Sequence, residues 1–125
     1  MKALIFRETG EPKSVLKLAE IPTPPLAAGE ALVRVLLCPI HPSDLHMVRG
    51  RYGYQPELPA SPGIEGVGIV EAVGPGVQGP AVGTRVVFVH IWQTCGNRSF
   101  VQWTDSCPFQ TAWTVRRPPL AASIL

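Results

Sequence analysis

The stretch "SPGIEGVG", residues 61–68, running on as "GVGIVEAVG" over 66–74, decides how this chain reads. Its first half has the rhythm of a metal-binding turn: glycine, a ligand, glutamate, glycine. Ile64 stands where the ligand belongs, and an isoleucine side chain offers no lone pair to a cation. Its second half is rich in β-branched residues and reads as a strand. Gly63, Gly66 and Gly68 are closely spaced, but inside a strand and with no helix opening behind them they make no dinucleotide fingerprint. They and Gly74 serve turns and close backbone approach instead.

Short elements surround this stretch, because 12 glycines and 14 prolines punctuate the 125 residues. "KALIF" over 2–6 and "SVLKLAEI" over 14–21 read as the first two strands. "IPTPPLAAGE" is a connector, since proline cannot donate to a ladder. "EALVRVLLCPI" over 30–40 alternates around Arg34 and then turns wholly apolar, as a strand entering a core does. "PSDLHMVRG" predicts a helix of about two turns, with Ser43 and Asp44 as capping acceptors and Gly50 as its stop. "TRVVFVH" over 84–90 and "SFVQW" over 99–103 supply further strands. The expected fold is mainly β: a partly open, mostly antiparallel barrel with one or two short helices. No βαβ alternation occurs, so the chain carries no nucleotide-binding (Rossmann) domain of its own.

Composition excludes several function classes. A net charge of +2 with no basic block longer than Arg116-Arg117 disfavours nucleic acid and anionic membrane surfaces as partners. No segment approaches the ~20 apolar residues of a membrane helix. The opening "MKALIFRETGEPKS" is too weakly apolar for a secretory signal. Cys38, Cys95 and Cys107 form no C-x-x-C pair, which argues against a zinc knuckle or a disulfide framework and for a reduced, cytoplasmic setting.

Three motifs then occur in order: "HPSDLHMVRGRYG", "LPASPGIEGVGIVEAVGPGV" and "VGTRVVF". In this order they resemble the N-terminal, GroES-like catalytic domain of the medium-chain dehydrogenase/reductase superfamily. Within it, the run from His41 to Gly74 looks most like the zinc-free branch, the quinone oxidoreductases and the 2-enoyl thioester (enoyl-CoA) reductases. The zinc enzymes of the superfamily carry a cysteine at the position of His41 and a histidine at that of Ile64. Cys38 has no suitably spaced partner, so no metal site is expected. The resemblance implies NADPH as cofactor, with conjugate hydride transfer to an enoyl thioester or a quinone-like acceptor. It implies Tyr52 as the catalytic residue, since a phenol of ordinary pKa ~10 stays protonated at neutral pH and can donate to a developing oxyanion. It implies a position near the nicotinamide for His41, where the zinc-free branch usually has asparagine; a structural role in the turn is the other reading. Residue by residue, His46 reads as a helix-surface side chain and Glu65 as a structural carboxylate.

The motif run ends near Trp103. Residues 1–103 are expected to form the GroES-like domain and 104–125 an atypical tail. The pairs Trp103-Thr104 and Trp113-Thr114 are encoded TGG-ACN, so reading from the third base gives aspartate at both. The same frame permits a continuation like the superfamily's, so the tail is expected to arise from a frameshift in a truncated, inactive reductase. Such a chain would bind no cofactor tightly alone and would self-associate through exposed apolar surface, to which Trp113, Leu120, Ile124 and Leu125 add. The alternative is a stand-alone β-barrel that binds or assembles without catalysis.

Overall fold

A computed structural model describes residues 1–23, 25–89, 96, 98–102 and 111–112. The order is β1 (Lys2–Ile5), α1 (Pro12–Val15), β2 (Lys17–Glu20), β3 (Glu30–Leu37), α2 (Pro42–Val48), β4 (Glu65–Val73), β5 (Arg85–Val89), β6 (Arg98–Gln102) and β7 (Thr111–Ala112). The four apolar residues of the tail named above lie outside the described residues, as do Cys95 and Cys107.

The fold is mainly β, as expected, but among the described residues it is not a closed barrel. One sheet runs β6-β3-β4-β5-β7 and a separate pair joins β1 to β2. Every neighbour is antiparallel except the two-residue β7, which lies parallel to β5. Single bridges, Ala3 to Gly96 and Phe6 to Ala60, tie the N-terminal segment to the stretches that precede β6 and β4. The second expected strand is also corrected. Pro12 fixes the backbone for a first helical turn, so 12–15 form α1 and only Lys17–Glu20 remain extended. None of the described helices is long and apolar enough to cross a membrane.

Alternation in β4 and β5 produces two unlike sheet faces. Gly66, Gly68 and Val70 on β4 and Val86 and Phe88 on β5 point inward and are buried. Val70, Val86 and Phe88 join Ala31 and Val33 of β3 in the largest core cluster. A second cluster decides where α2 sits. Met47 and Val48, on its inner side, pack with Phe6 and Ala60, and none of the four is more than 1% exposed. Phe6 and Ala60 also exchange backbone hydrogen bonds of 2.8 and 2.9 Å, which fixes the floor beneath the helix.

Gly50 ends α2 as the sequence predicts. It has φ +71°, and the Arg51 and Gly50 amides donate to the His46 and Met47 carbonyls at 2.8 and 2.9 Å. Arg49 at the helix end reaches Glu11 with bonds of 2.9 and 3.3 Å, and that guanidinium holds the Glu11 carboxyl below its ordinary value.

Gly68 permits β3 and β4 to pair closely. A Cβ there would overlap Val33 Cγ1 and lie 2.5 Å from the Arg34 carbonyl oxygen. Neither can retreat without opening the ladder. Gly68→Ala is therefore expected to lower stability by about 2–3 kcal/mol in urea unfolding. Gly53→Ala, where a Cβ meets nothing within 4 Å, should stay within about 0.5 kcal/mol. Equal effects at the two sites would contradict this packing account.

Candidate functional site

The site forms where β3 hands over to α2 beside the start of β4. Leu37, the last residue of β3, pairs with Val67. Glu65, two residues earlier on β4, therefore lies just past the paired end of β3, where the chain turns into the helix. His41 is the N-cap of α2, with extended backbone (φ −91°, ψ 151°) and Pro42 starting the first turn. Ser43, expected to cap, falls inside the helix, because Pro42 at the first helical position makes the preceding residue the boundary.

Two carboxylates hold His41. Its backbone amide donates to Asp44 Oδ2 at 2.8 Å, the return bond of a capping box. Its ring Nε2 lies 2.8 Å from Glu65 Oε1. Glu65, which reads from sequence as a structural carboxylate, is half-buried and faces an imidazole. Asp44, by contrast, is buried. Its second oxygen, Oδ1, and the Ser61 hydroxyl are buried with no hydrogen-bond partner among the described residues. Such atoms cost about 1–3 kcal/mol each unless water or a ligand group meets them.

Tyr52 sits in the turn after α2, half-exposed, and its carbonyl accepts from Gln55 Nε2 at 3.0 Å. Tyr54 is similarly exposed. His41 and Tyr52 thus lie at opposite ends of a helix about 10 Å long. His41 precedes α2 as its cap, and Tyr52 follows it in the turn beyond Gly50. His46 is exposed on that helix, as expected.

The metal expectation can be tested on the side chains themselves. Ile64 occupies the place a ligand would need, and His41 is committed to Glu65. The Cys38 thiol lies 3.6 Å from the Pro39 carbonyl. No group of three metal-ligating side chains occurs among the described residues. Among the described residues, then, these side chains offer no three-ligand set for a zinc ion. Nor do they fit the phosphates of a dinucleotide: Gly66 and Gly68 face the core of the sheet rather than a helix N-terminus. The partnership of His41 with Glu65 could not be read from sequence spacing, because 24 residues separate them. The only signal was that both flank the ends of paired elements.

Asp44→Ala should lower stability by about 1 kcal/mol and speed hydrogen exchange at the His41 amide. Unchanged exchange at that amide would mean that Asp44 does not hold it.

The sequence profile of the alcohol dehydrogenase GroES-like domain matches residues 27–113. Among curated proteins, an alcohol dehydrogenase of Geobacillus stearothermophilus is 39% identical over 78% of this chain and 28% of its own length. The mitochondrial enoyl-[acyl-carrier-protein] reductase of Bos taurus is 34% identical over 98% of this chain and 35% of its own. Among solved structures, Escherichia coli quinone oxidoreductase complexed with NADPH superposes with a TM-score of 0.75. It is 28% identical and covers 82% of this chain and 31% of that one. The chain spans about a third of the length of the curated relatives it matches. With the motif order, the open β-sheet and the capped helix in agreement, this chain belongs to the GroES-like domain family of the medium-chain dehydrogenase/reductases.

Proposed function

We propose that this chain is the substrate-facing domain of a zinc-independent, NADPH-dependent reductase that acts on an α,β-unsaturated thioester or a quinone-like acceptor. The observation that carries the reading is the pairing of His41 with Glu65 at 2.8 Å beside Ile64. Of the two positions that could have gathered a metal, one holds an imidazole turned to a carboxylate and the other an alkyl group. Protein donors must then meet the charge that develops on the substrate oxygen.

In this reading Tyr52 donates its phenolic hydrogen bond to the thioester or quinone oxygen as hydride arrives at the conjugated carbon. The negative charge that collects on that oxygen is stabilised by the donor, and the proton at the α-carbon comes from the phenol or from water. His41, with its ring oriented by Glu65 and its backbone by Asp44, would be the residue to flank a bound nicotinamide. When bound, the cofactor supplies the hydride; its phosphates are held by a Rossmann domain outside this chain. The chain alone is therefore inactive and binds NADPH weakly. Its partner is a small molecule, with neither nucleic acid nor membrane involved, and the unpaired cysteine spacing suits a reducing, cytoplasmic compartment.

The division at residue 103 and a frameshifted tail over 104–125 belong to the same proposal. Against the tail stand the family match through residue 113 and the bovine match over 98% of the chain. Sequencing the coding DNA decides between them. The competing reading, a binding or assembly module without catalysis, draws support from the exposed Leu37 and Ile40 at the end of β3.

Mixed with NADPH and crotonyl-CoA, the chain alone should leave nicotinamide absorbance unchanged. Joined in cis to the cofactor-binding remainder of the bovine enoyl reductase, it should turn over. Tyr52→Phe in that fusion should lower kcat by about 10²–10³-fold with little change in KM. A fusion that binds NADPH yet shows no turnover, or a Tyr52→Phe variant as active as its parent, would contradict the proposal.

A further inference from the structure

The outward face of the β3-β4-β5 sheet carries an ordered pattern of charge that its inward face lacks. Directly opposed residues in an antiparallel ladder share a face, so the pairing defines successive rows across the three strands. The first row holds Glu65 and Val89. The second is wholly apolar: Leu37, Val67 and Val87. The third is Arg34, Ile69 and Arg85. Leu37 is 70% exposed and Val87 50%, so the apolar row lies open between an acidic edge and a basic one. Successive rows are about 7 Å apart and strands about 4.8 Å.

We infer that this face is a self-complementary surface that pairs with a second copy of the same chain. A two-fold axis laid along the Leu37-Val67-Val87 row superposes that row on its own image and reverses the strand direction. The row on one side of the axis then faces the row on the other side. Glu65 of each copy comes to lie over Ile69 of the other, between Arg34 and Arg85. The arrangement buries three apolar residues per copy against their equivalents, and each acidic side chain meets two guanidinium groups. Arg34 already holds Glu71 at 3.3 Å within its own chain, so its arm is in place before association. Two sheets stacked face to face at about 10 Å give room for this interdigitation.

The patch sets the strength. Three rows on three strands cover only about 300 Å² of sheet plane per copy, well below the ~800 Å² per partner of a stable complex. The pairing is therefore a weak, concentration-dependent dimer. The inference goes beyond the proposed reductase chemistry and does not depend on it.

Sedimentation velocity of the full chain from micromolar to millimolar concentration should show a monomer passing to a dimer and no further. Val87→Glu, which puts a charge in the centre of the apolar row, should leave a monomer throughout, and so should Leu37→Lys on the neighbouring strand. Far-UV circular dichroism of each variant checks that the sheet is retained. Arg85→Glu and Glu65→Arg should each weaken association alone at least tenfold. An equimolar mixture of the two should associate more tightly than either alone, because one cross-contact is then as in the parent and the other regains an opposite-charge pair beside the unchanged Arg34. A monomer at all concentrations, open-ended aggregation, or a dimer that survives both Val87→Glu and Leu37→Lys would overturn the inference. So would a mixture no tighter than either charge variant alone.

Discussion

The contact of 2.8 Å between His41 Nε2 and Glu65 Oε1 ties the beginning of α2 to the beginning of β4. Other features of this region of the molecule converge on it. Gly68 lets β3 and β4 pair closely enough to carry Glu65 past the end of β3. Pro42 sets the helix boundary so that His41 is the cap and its ring projects from extended backbone. Asp44 then takes the His41 amide, and Met47 and Val48 anchor the helix on Phe6 and Ala60. Local capping, cross-strand register and core packing agree on a single position for one imidazole. Agreement across levels of this kind is what makes a site rigid.

The two faces of the sheet show how one alternating pattern serves different ends. Inward, β4 gives up side-chain volume at Gly66 and Gly68 so that Phe88 and Val86 can fill the core. Outward, the same strand presents Glu65, Val67 and Ile69 in sequence, each in a different chemical row. Because the period is two, neither face can be altered by a slip of one residue without destroying the other.

Much of this was legible in the sequence, for reasons that can be named. β3, β4 and β5 carry strong β-branched content, and α2 has a proline start and a glycine stop, so local chemistry alone locates them. Ile64 could be read as a missing ligand because an alkyl group cannot donate electrons. What sequence could not give were interactions between distant residues. Glu65 reads as a structural carboxylate until the register of β3 on β4 brings it to His41. Ser43 looks like the cap because serine is a common one, yet the proline before it moves the boundary back to His41. The start of the second expected strand fails for a similar reason: Pro12 and the amides of 14–16 close a helical turn before the chain extends. The mainly β, antiparallel architecture was legible too, but the strand order β6-β3-β4-β5-β7 was not.

The proposal turns on His41 paired to Glu65 at 2.8 Å beside Ile64, where a metal ion would need its ligands. Native mass spectrometry of well-folded protein, prepared in zinc-containing buffer and then desalted, tests it most directly. The account predicts the mass of the metal-free chain and no retained zinc. A stoichiometric zinc adduct that disappears in His41→Ala would contradict it.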